Sequence, residues 1–598
     1  MRYVLQSAVM ILLLVCSVLL FLLISSYDRA RAANRLLTEK ISTLNIRKMS
    51  SGQQHHRSGI FANQQYFSPD AVDGGTLTTA IASDPPGLNP LLNNEASAQD
   101  IFGYCSMTLA ERDWMQQELF RPMLAESWEI SPDRKTYHIR LRKGIYWHSF
   151  TDPVTRIRHP KKEVTAHDVK FTVDVIKNPE VNCAAIRAYY MDLKEIKVIN
   201  DHEFTVIWDR EYYGSMAQTL GLFPLPRHFY MPDGTFDGRK FNDDHQRNRM
   251  IVGCGAYIFQ SWESGKEIRL ERNPDYIGFD YGAAPPLKTR IFKIIKLPNT
   301  RFQSLLAGEL GMLGLTPEQW KNRTGTTQFT SGKIRKISFP DYSSYSYIGY
   351  NHRMHCFKDA ATRRALTMLI NRQEILDKIK FGLGTISKGP LIPDSAYADP
   401  ELKPWPYDPE EAKKLLAQAG WSDSDGDGIL ERNGEKFSFT MLQISGATEQ
   451  HRMLLLVQNF FAAAGIEMKL QTVEWSVLLE RIKKQTFEAC SLGWQNSVDP
   501  DLYQIFHSSQ SKPGGDNFIG YKNPQLDELI LKLRQEFDMK KRIEISRQIE
   551  KIIHLDQPYT FLFCSDALVA IDADFENVRI FPNTLHSLSF YLKDGGVK

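Results

Sequence analysis

The chain has 598 residues, 42% hydrophobic and 24% charged, with 73 Lys+Arg against 70 Asp+Glu. That length suits three to four domain-sized units, and the near balance of charge argues against a nucleic-acid binder with a basic face and against an acidic disordered chain. Seven scattered cysteines without C-x-x-C spacing exclude a disulfide scaffold and predict buried thiols, or one or two disulfides in an exported chain.

No charged residue lies between Arg2 and Asp28, and Ala8–Ile24 is apolar apart from Ser17. As a helix this run reaches about 26 Å, close to the hydrocarbon thickness of a bilayer, so residues 1–35 read as a signal peptide or a single membrane anchor. Ala30-Arg31-Ala32 is a poor cleavage site and Val15 precedes Cys16 where a lipoprotein needs a small residue, which favours the uncleaved anchor. Arg29, Arg31 and Arg35 follow the run whereas Arg2 precedes it, an asymmetry that weighs modestly against export because long domains translocate largely regardless. Residues 36–74 show no sustained hydrophobic period and read as a tether, with His55-His56 a solvated pair.

From Gly74 onward strand-like and helix-like segments alternate without a fixed repeat. Thr76 to Ala82 reads as a strand entering the loop Asp84-Pro85-Pro86-Gly87. Tyr137 to Leu141 alternates and then turns at Lys143-Gly144, and Thr165 with Asp168 forms a capping box for a helix toward Ile176. Asn371 and Glu374 repeat that logic. Asp408 caps a helix with Pro409 at its first position and Gly420 as its left-handed stop, leaving Leu415, Leu416 and Ala419 as the buried stripe. A helix from about Glu449 to Ala464 ends at Gly465 and is followed by the alternating Ile466, Met468 and Leu470. The pattern is mixed α/β, with sheets covered by helices.

Asp423-Ser424-Asp425-Gly426-Asp427-Gly428 has the first half of a calcium loop, but Gly434 stands at the twelfth position instead of a bidentate glutamate; a solvated turn is favoured over weak calcium binding. Phosphate-cradling glycine motifs, G-x-S-x-G and H-E-x-x-H are absent. Ser491 to Trp494 reads as a strand leaving for a loop that concentrates Asn496, Ser497, Asp499 and Asp501, the kind of strand end where α/β sheets bind ligands. Trp494 is there either a ligand-facing aromatic or core, and Asp499 either meets a cation or caps the next helix.

Several segments then fall in a familiar order: Pro122 to Trp128 followed by Ser131 to Tyr137, Leu141 to Trp147, Thr165 to Val169, Gly253 to Tyr257 with Arg272 to Tyr276, and Tyr407 to Trp421. Over about Gly74 to Ile571 the chain resembles the extracytoplasmic solute-binding proteins of ABC importers, in the family 5 class of dipeptide and oligopeptide receptors. The resemblance implies an α/β, two-lobed periplasmic-binding-protein clamp (type II, cluster C-like) with an extra domain. Residues 75–341 would form the first lobe with the extra domain inserted at about 100–220, residues 342–565 the second lobe, and 566–598 the return to the first. It further implies a monomeric receptor without cofactor, metal or nucleic acid, which closes on a peptide or similar polar solute and delivers it unaltered to permease subunits.

Under that resemblance the ligand-contact candidates are Asp84, Pro85 and Gly87 on one lobe, Tyr345 near the crossing, and Trp494, Asn496, Ser497 and Asp499 on the other, with Asn351 a structural hydrogen-bonder. Two departures bear on specificity. Ser497 stands where peptide-binding relatives usually carry an amine-neutralising aspartate, leaving Asp499 as the candidate substitute, and Ser491 stands where some have a carboxylate-binding arginine. A long loop between Trp147 and Val164, with Arg156, Arg158, Lys161 and Lys162, reads as a solvated insertion or a docking surface. The rival readings are an envelope peptidase or hydrolase, for which no nucleophile motif is present, and a solute sensor or holdase using the same clamp.

Overall fold

The structure, a computed structural model, describes residues 61–595 apart from 394, 497, 498 and 583. The expected anchor, the tether up to residue 60 and Ser497 lie outside the described residues. Among the described residues no helix is long and apolar enough to cross a membrane.

The part of the tether that is described is packed. Phe61 is 1% exposed and stacks on Tyr281 at 5.2 Å, Asn63 is fully buried, and Tyr66 stacks on Trp114 and donates to Asp113. Residues 61–67 therefore belong to the folded body. Single aromatic anchors without a period hold them there, which is why the hydrophobic pattern missed them.

Thr76–Ile81 runs parallel to Thr289–Ile294, and Glu267–Arg272 and Tyr257–Glu263 extend that sheet antiparallel. A second sheet, all antiparallel, orders Leu193–Asn200, Glu203–Trp208, Thr136–Leu141 and Ala125–Ile130. Tyr137, Ile139 and Leu141 point into its core while His138 and Arg140 do not, as a period of two requires. Helix Ala166–Lys177 starts at the capping box of Thr165 and Asp168 and buries Val169, Val173 and Ile176. One continuous core joins residues from Phe61 to Phe292 across both sheets.

The largest sheet has five strands in the order Glu467–Val473, Ser438–Ile444, Ala489–Gln495, Ser344–Tyr350 and Tyr559–Phe561. Its first three strands are mutually parallel, and helix Thr448–Ala462 makes the crossover between two of them. Gly465 (φ 77°) turns the chain out of that helix. Asp408 caps helix Pro409–Gln418 by accepting from Glu411 N at 3.0 Å; Ala412 and Leu416 are its buried face, with Leu415 and Ala419 half-buried.

Two neighbouring strand pairs carry the chain between the two halves. Ile334–Pro340 leads directly into Ser344–Tyr350, and Tyr559–Phe561 directly into Phe563–Asp572. These connections run side by side and antiparallel, Pro340 opposite Asp566 and Tyr347 opposite Phe561. Two adjacent crossings leave rotation about their common line as the soft motion.

All six described cysteines are buried and unpaired. The long Trp147–Val164 segment is a hairpin: Tyr146–Trp147 pairs with Lys162–Glu163, and Phe150–Thr151 with Arg158–His159. Its turn hangs on Asp152, which accepts from Val154 N and Thr155 N at 2.8 Å and from Arg247 Nη2 at 2.6 Å. The Asp152 and Arg247 side chains are only 2% and 6% exposed. Arg247 also pairs with Asp244 at 2.7 Å, so Asp152→Ala removes one of its two carboxylates together with the acceptor of the turn's two N–H groups, and is expected to cost about 2 kcal/mol in urea denaturation; a loss below about 1 kcal/mol would show that the hairpin does not depend on it.

Candidate functional site

The strand Ala489–Gln495 is paired along its whole length with Ser344–Tyr350, Tyr345 lying opposite Trp494. Among the described residues, its other edge meets Ser438–Ile444 at Ala489 and Cys490 alone. Beyond them, Ser491 O turns outward to accept from Gln450 Nε2 at 2.9 Å. In an antiparallel pair one residue's N–H and C=O point the same way and alternate along the strand, so Gly493 and Gln495 also present theirs on this free edge.

Beside the edge is a cavity of about 130 Å³. Trp494 forms part of its wall, half-buried, its indole parallel to Tyr347 at 6.4 Å and its Nε1 donating to Tyr559 Oη at 3.3 Å. Tyr345 is 2% exposed and its hydroxyl has no hydrogen-bond partner among the described residues. A buried hydroxyl left unpaired is costly. Asn496 completes that wall, held by Nδ2 donating to Tyr342 O at 2.9 Å.

The opposite wall comes from elsewhere in the chain. Tyr189 reaches in from the half that holds the first two sheets, and Pro390, Leu391, Ile392 and Tyr397 come from one loop. That loop is supported from below: the buried Glu550 accepts from Asp399 N at 2.6 Å. Tyr189 and Leu391 were not expected from the sequence. The proline-bracketed apolar stretch Pro390 to Pro393 is the one local signal that marked the loop; nothing local distinguishes Tyr189.

Around the cavity the acids are largely committed. Asp499 accepts from Arg112 Nη2 at 2.7 Å, so the cation it meets here is the protein's own; it does not cap a helix, since the short helix Tyr503–Phe506 is preceded by Asp501, which accepts from Tyr503 N. Asp501 also accepts from Tyr212 Oη at 2.6 Å and pairs with Arg534 Nε at 3.2 Å. Arg534 O accepts from Tyr213 N at 2.7 Å, and Arg542 covers the Tyr213 ring at 3.2 Å. Tyr212-Tyr213 thus joins its half of the molecule to residues 499–542 beside the cavity. Burial, aided by the Asp501 and Asp516 carboxylates, pushes the Tyr189 phenol well up.

Asp84, Pro85 and Gly87 are not among the residues lining this cavity. Both Asp84 oxygens are taken by the neighbouring hairpin, from Trp262 Nε1 at 2.6 Å and Gly265 N at 2.8 Å, and Gly87 O accepts from Asn93. A strand–loop signal located the loop, but its acid anchors the fold. Asn351 donates to Phe487 O at 2.8 Å, a structural bond. The acidic loop gathers Asp423, Asp425, Asp427 and Glu431, with donor atoms within 4.8 Å of one another. Its charges are met internally: Lys436 pairs with Asp425 and Asp427, and Glu431 accepts from Ser424 N.

Asp516 stands apart from the paired acids. It accepts from Gln504, a cavity-lining residue, and burial pushes its carboxyl up to about 6 against the pull of Gln504 and the Lys483 ammonium. Between pH 4 and about 6 the folded chain holds a proton here that the unfolded chain gives up, so this group lowers stability as pH rises through that window. Asp516→Asn should flatten that part of the stability–pH curve measured by denaturation; an unchanged slope would place the carboxyl in water.

Residues 120–516 match the family of bacterial extracellular solute-binding proteins, family 5 (Middle). The oligopeptide-binding protein AppA of Bacillus subtilis is 30% identical over 522 residues, covering 85% of this chain and 90% of the relative. The structure of that protein in complex with a nonapeptide aligns with a TM-score of 0.79 at 29% identity, over 88% of this chain and all of the other. The dipeptide-binding protein of Escherichia coli is 25% identical over 82% of this chain and 89% of its own length. DppA from Helicobacter pylori, in complex with the peptide STSA, shares the fold at a TM-score of 0.75 and 23% identity, over 89% of this chain and 99% of its own. The two-lobed clamp, the cavity beside the strand Ala489–Gln495 and these matches agree: the chain belongs to the family 5 extracellular solute-binding proteins, non-enzymatic receptors of ABC importers.

Proposed function

We propose that this receptor captures peptides in extended form and delivers them to the permease subunits of an importer. The observation that supports this most is the free edge at Gly493 and Gln495 beside Trp494 and the unpaired Tyr345 hydroxyl. A peptide laid along that edge adds a strand, its main chain pairing with the receptor's whatever its side chains, while Trp494 offers an apolar face for one of them. Approach of the other half, which contributes Tyr189, removes water and strengthens those bonds, and a ligand favours the closed state only by as much as it binds that state better.

In this reading residues 75–341 form the first lobe, with an insert at about 100–220, residues 342–565 the second, and 566–598 the return. The ligand contacts are Tyr345, Trp494, Asn496 and Ser497, with Asp499 acting through Arg112 rather than on the solute. The receptor works as a monomer, exported and tethered to the cytoplasmic membrane by residues 1–35. The nonapeptide bound to AppA and the relative named for dipeptide binding support peptides as the solute class.

Calorimetry with peptides of two to nine residues tests this reading, with mass spectrometry of the recovered peptides. Binding without cleavage is expected, whereas turnover would place the protein among peptidases and an absence of binding would move it to another solute. Trp494→Ala is expected to weaken peptide binding about tenfold while leaving the circular dichroism spectrum unchanged. Unaltered affinity would assign that ring to packing.

A further inference from the structure

Away from the cleft, three features converge on one face of the molecule. The first is a polar cavity of about 450 Å³ whose walls include Arg140, Lys143, His202 and Tyr281. Its two acids are Glu126 and Glu203, and Glu203 is held by His138 at 2.8 Å and Arg140 at 3.7 Å. The second is the Trp147–Val164 hairpin. Glu163 at its root accepts from Gly144 N at 2.8 Å and bonds His202 Nε2 at 3.1 Å, which fixes the hairpin to the cavity wall. The third is the start of the folded body: Phe61 stacks on Tyr281, and Arg142 lies 4.8 Å from that ring's centre. Lys161 pairs with Asp275, next to Tyr276, which meets Phe61 edge-on at 6.0 Å.

The hairpin tip is built outward. Ile157 and Val154 are 59% and 51% exposed, Arg156 and Arg158 beside them are exposed too, and Lys162 is exposed nearer the root. Asp152 fixes the turn from inside, so the tip is held in place rather than collapsed onto the body. Two branched apolar side chains ringed by cations suit a surface that is greasy beneath and anionic on top, which is the interface of a bilayer with acidic lipids. The described chain starts on this face at Phe61, and the sequence ahead of it carries the uncharged run Ala8–Ile24.

We propose that this face rests on an anionic membrane surface. Val154 and Ile157 enter the headgroup–acyl boundary, Arg156, Arg158 and Lys162 pair with lipid phosphates, and Arg140 and Lys143 offer a headgroup pocket behind them. Each cation near such a surface contributes roughly fivefold in affinity, and the contribution fades with salt. The site is separate from the peptide cleft, and the inference stands whether or not the solute is a peptide.

Hydrogen exchange of the full chain tests it, with vesicles of neutral phosphatidylcholine or an about equal mixture with phosphatidylglycerol. The comparison between lipids isolates the hairpin from any insertion of the N-terminal run, which both vesicles support. Amides of residues 150–163 are expected to exchange at least about fivefold more slowly with the anionic vesicles, with the effect lost in about 0.5 M salt and in an Arg156→Glu/Arg158→Glu variant. All the substituted side chains are exposed, so the variant should keep its circular dichroism spectrum. Equal exchange with both lipids, or protection that survives the charge reversal, would overturn the proposal.

Discussion

The cluster of Asp501, Arg534 and Tyr212 is the constraint on which the arrangement of this receptor depends. It brings a carboxylate from the loop after the cleft strand, a guanidinium from helix Pro524–Gln535 and a phenol from the segment after Glu203–Trp208 to within 3.2 Å. Arg534 is 7% exposed and also covers the rings of Tyr212 and Tyr503 at 4.3 and 4.6 Å. Buried ions of this kind are tolerated only when mutually satisfied, so the cluster forms as a unit or not at all. Because its members come from both halves of the chain, its formation and the approach of Tyr189 to the cavity are one event. Ala188, packed in the core with residues of the 345–564 region, reports the same closeness.

The cavity then acquires its character from what this closure brings together. One wall is a sheet edge with main-chain groups to spare, the other is a loop and a tyrosine with mainly apolar surface. The arginines that answer Asp499 and Asp501 are supplied by the protein itself, so the acids nearest the cleft serve closure. A solute is thus met mostly by dipoles and rings, an environment tolerant of side-chain identity. The two adjacent strand crossings between the halves supply the motion that admits it.

Much of the fold was legible because its signals are local. The capping residues Thr165, Asn371 and Asp408 mark helix starts by the hydrogen bonds they make. The alternation at Tyr137 to Leu141 marks a strand. The site was legible in part: Trp494, Asn496 and Tyr345 lie on the cavity wall, where a strand end and the family resemblance placed them. Asp84 and Asp499 looked like ligand-facing acids because their partners, Trp262 and Arg112, lie 178 and 387 residues away in the chain. Tyr189 was invisible for the same reason, since its neighbours across the cavity are set by tertiary closure. Residues 61–67 carry no such signal, because lone aromatics have no period.

A donor and acceptor dye pair on exposed positions flanking the cleft, one on each half, measures the central event directly. On adding a peptide that calorimetry shows to bind, the account predicts a shift of the population toward the shorter distance, with a smaller shift in Arg534→Ala. A distance distribution that peptide leaves unchanged, alongside measured binding heat, would contradict a clamp that works by closing.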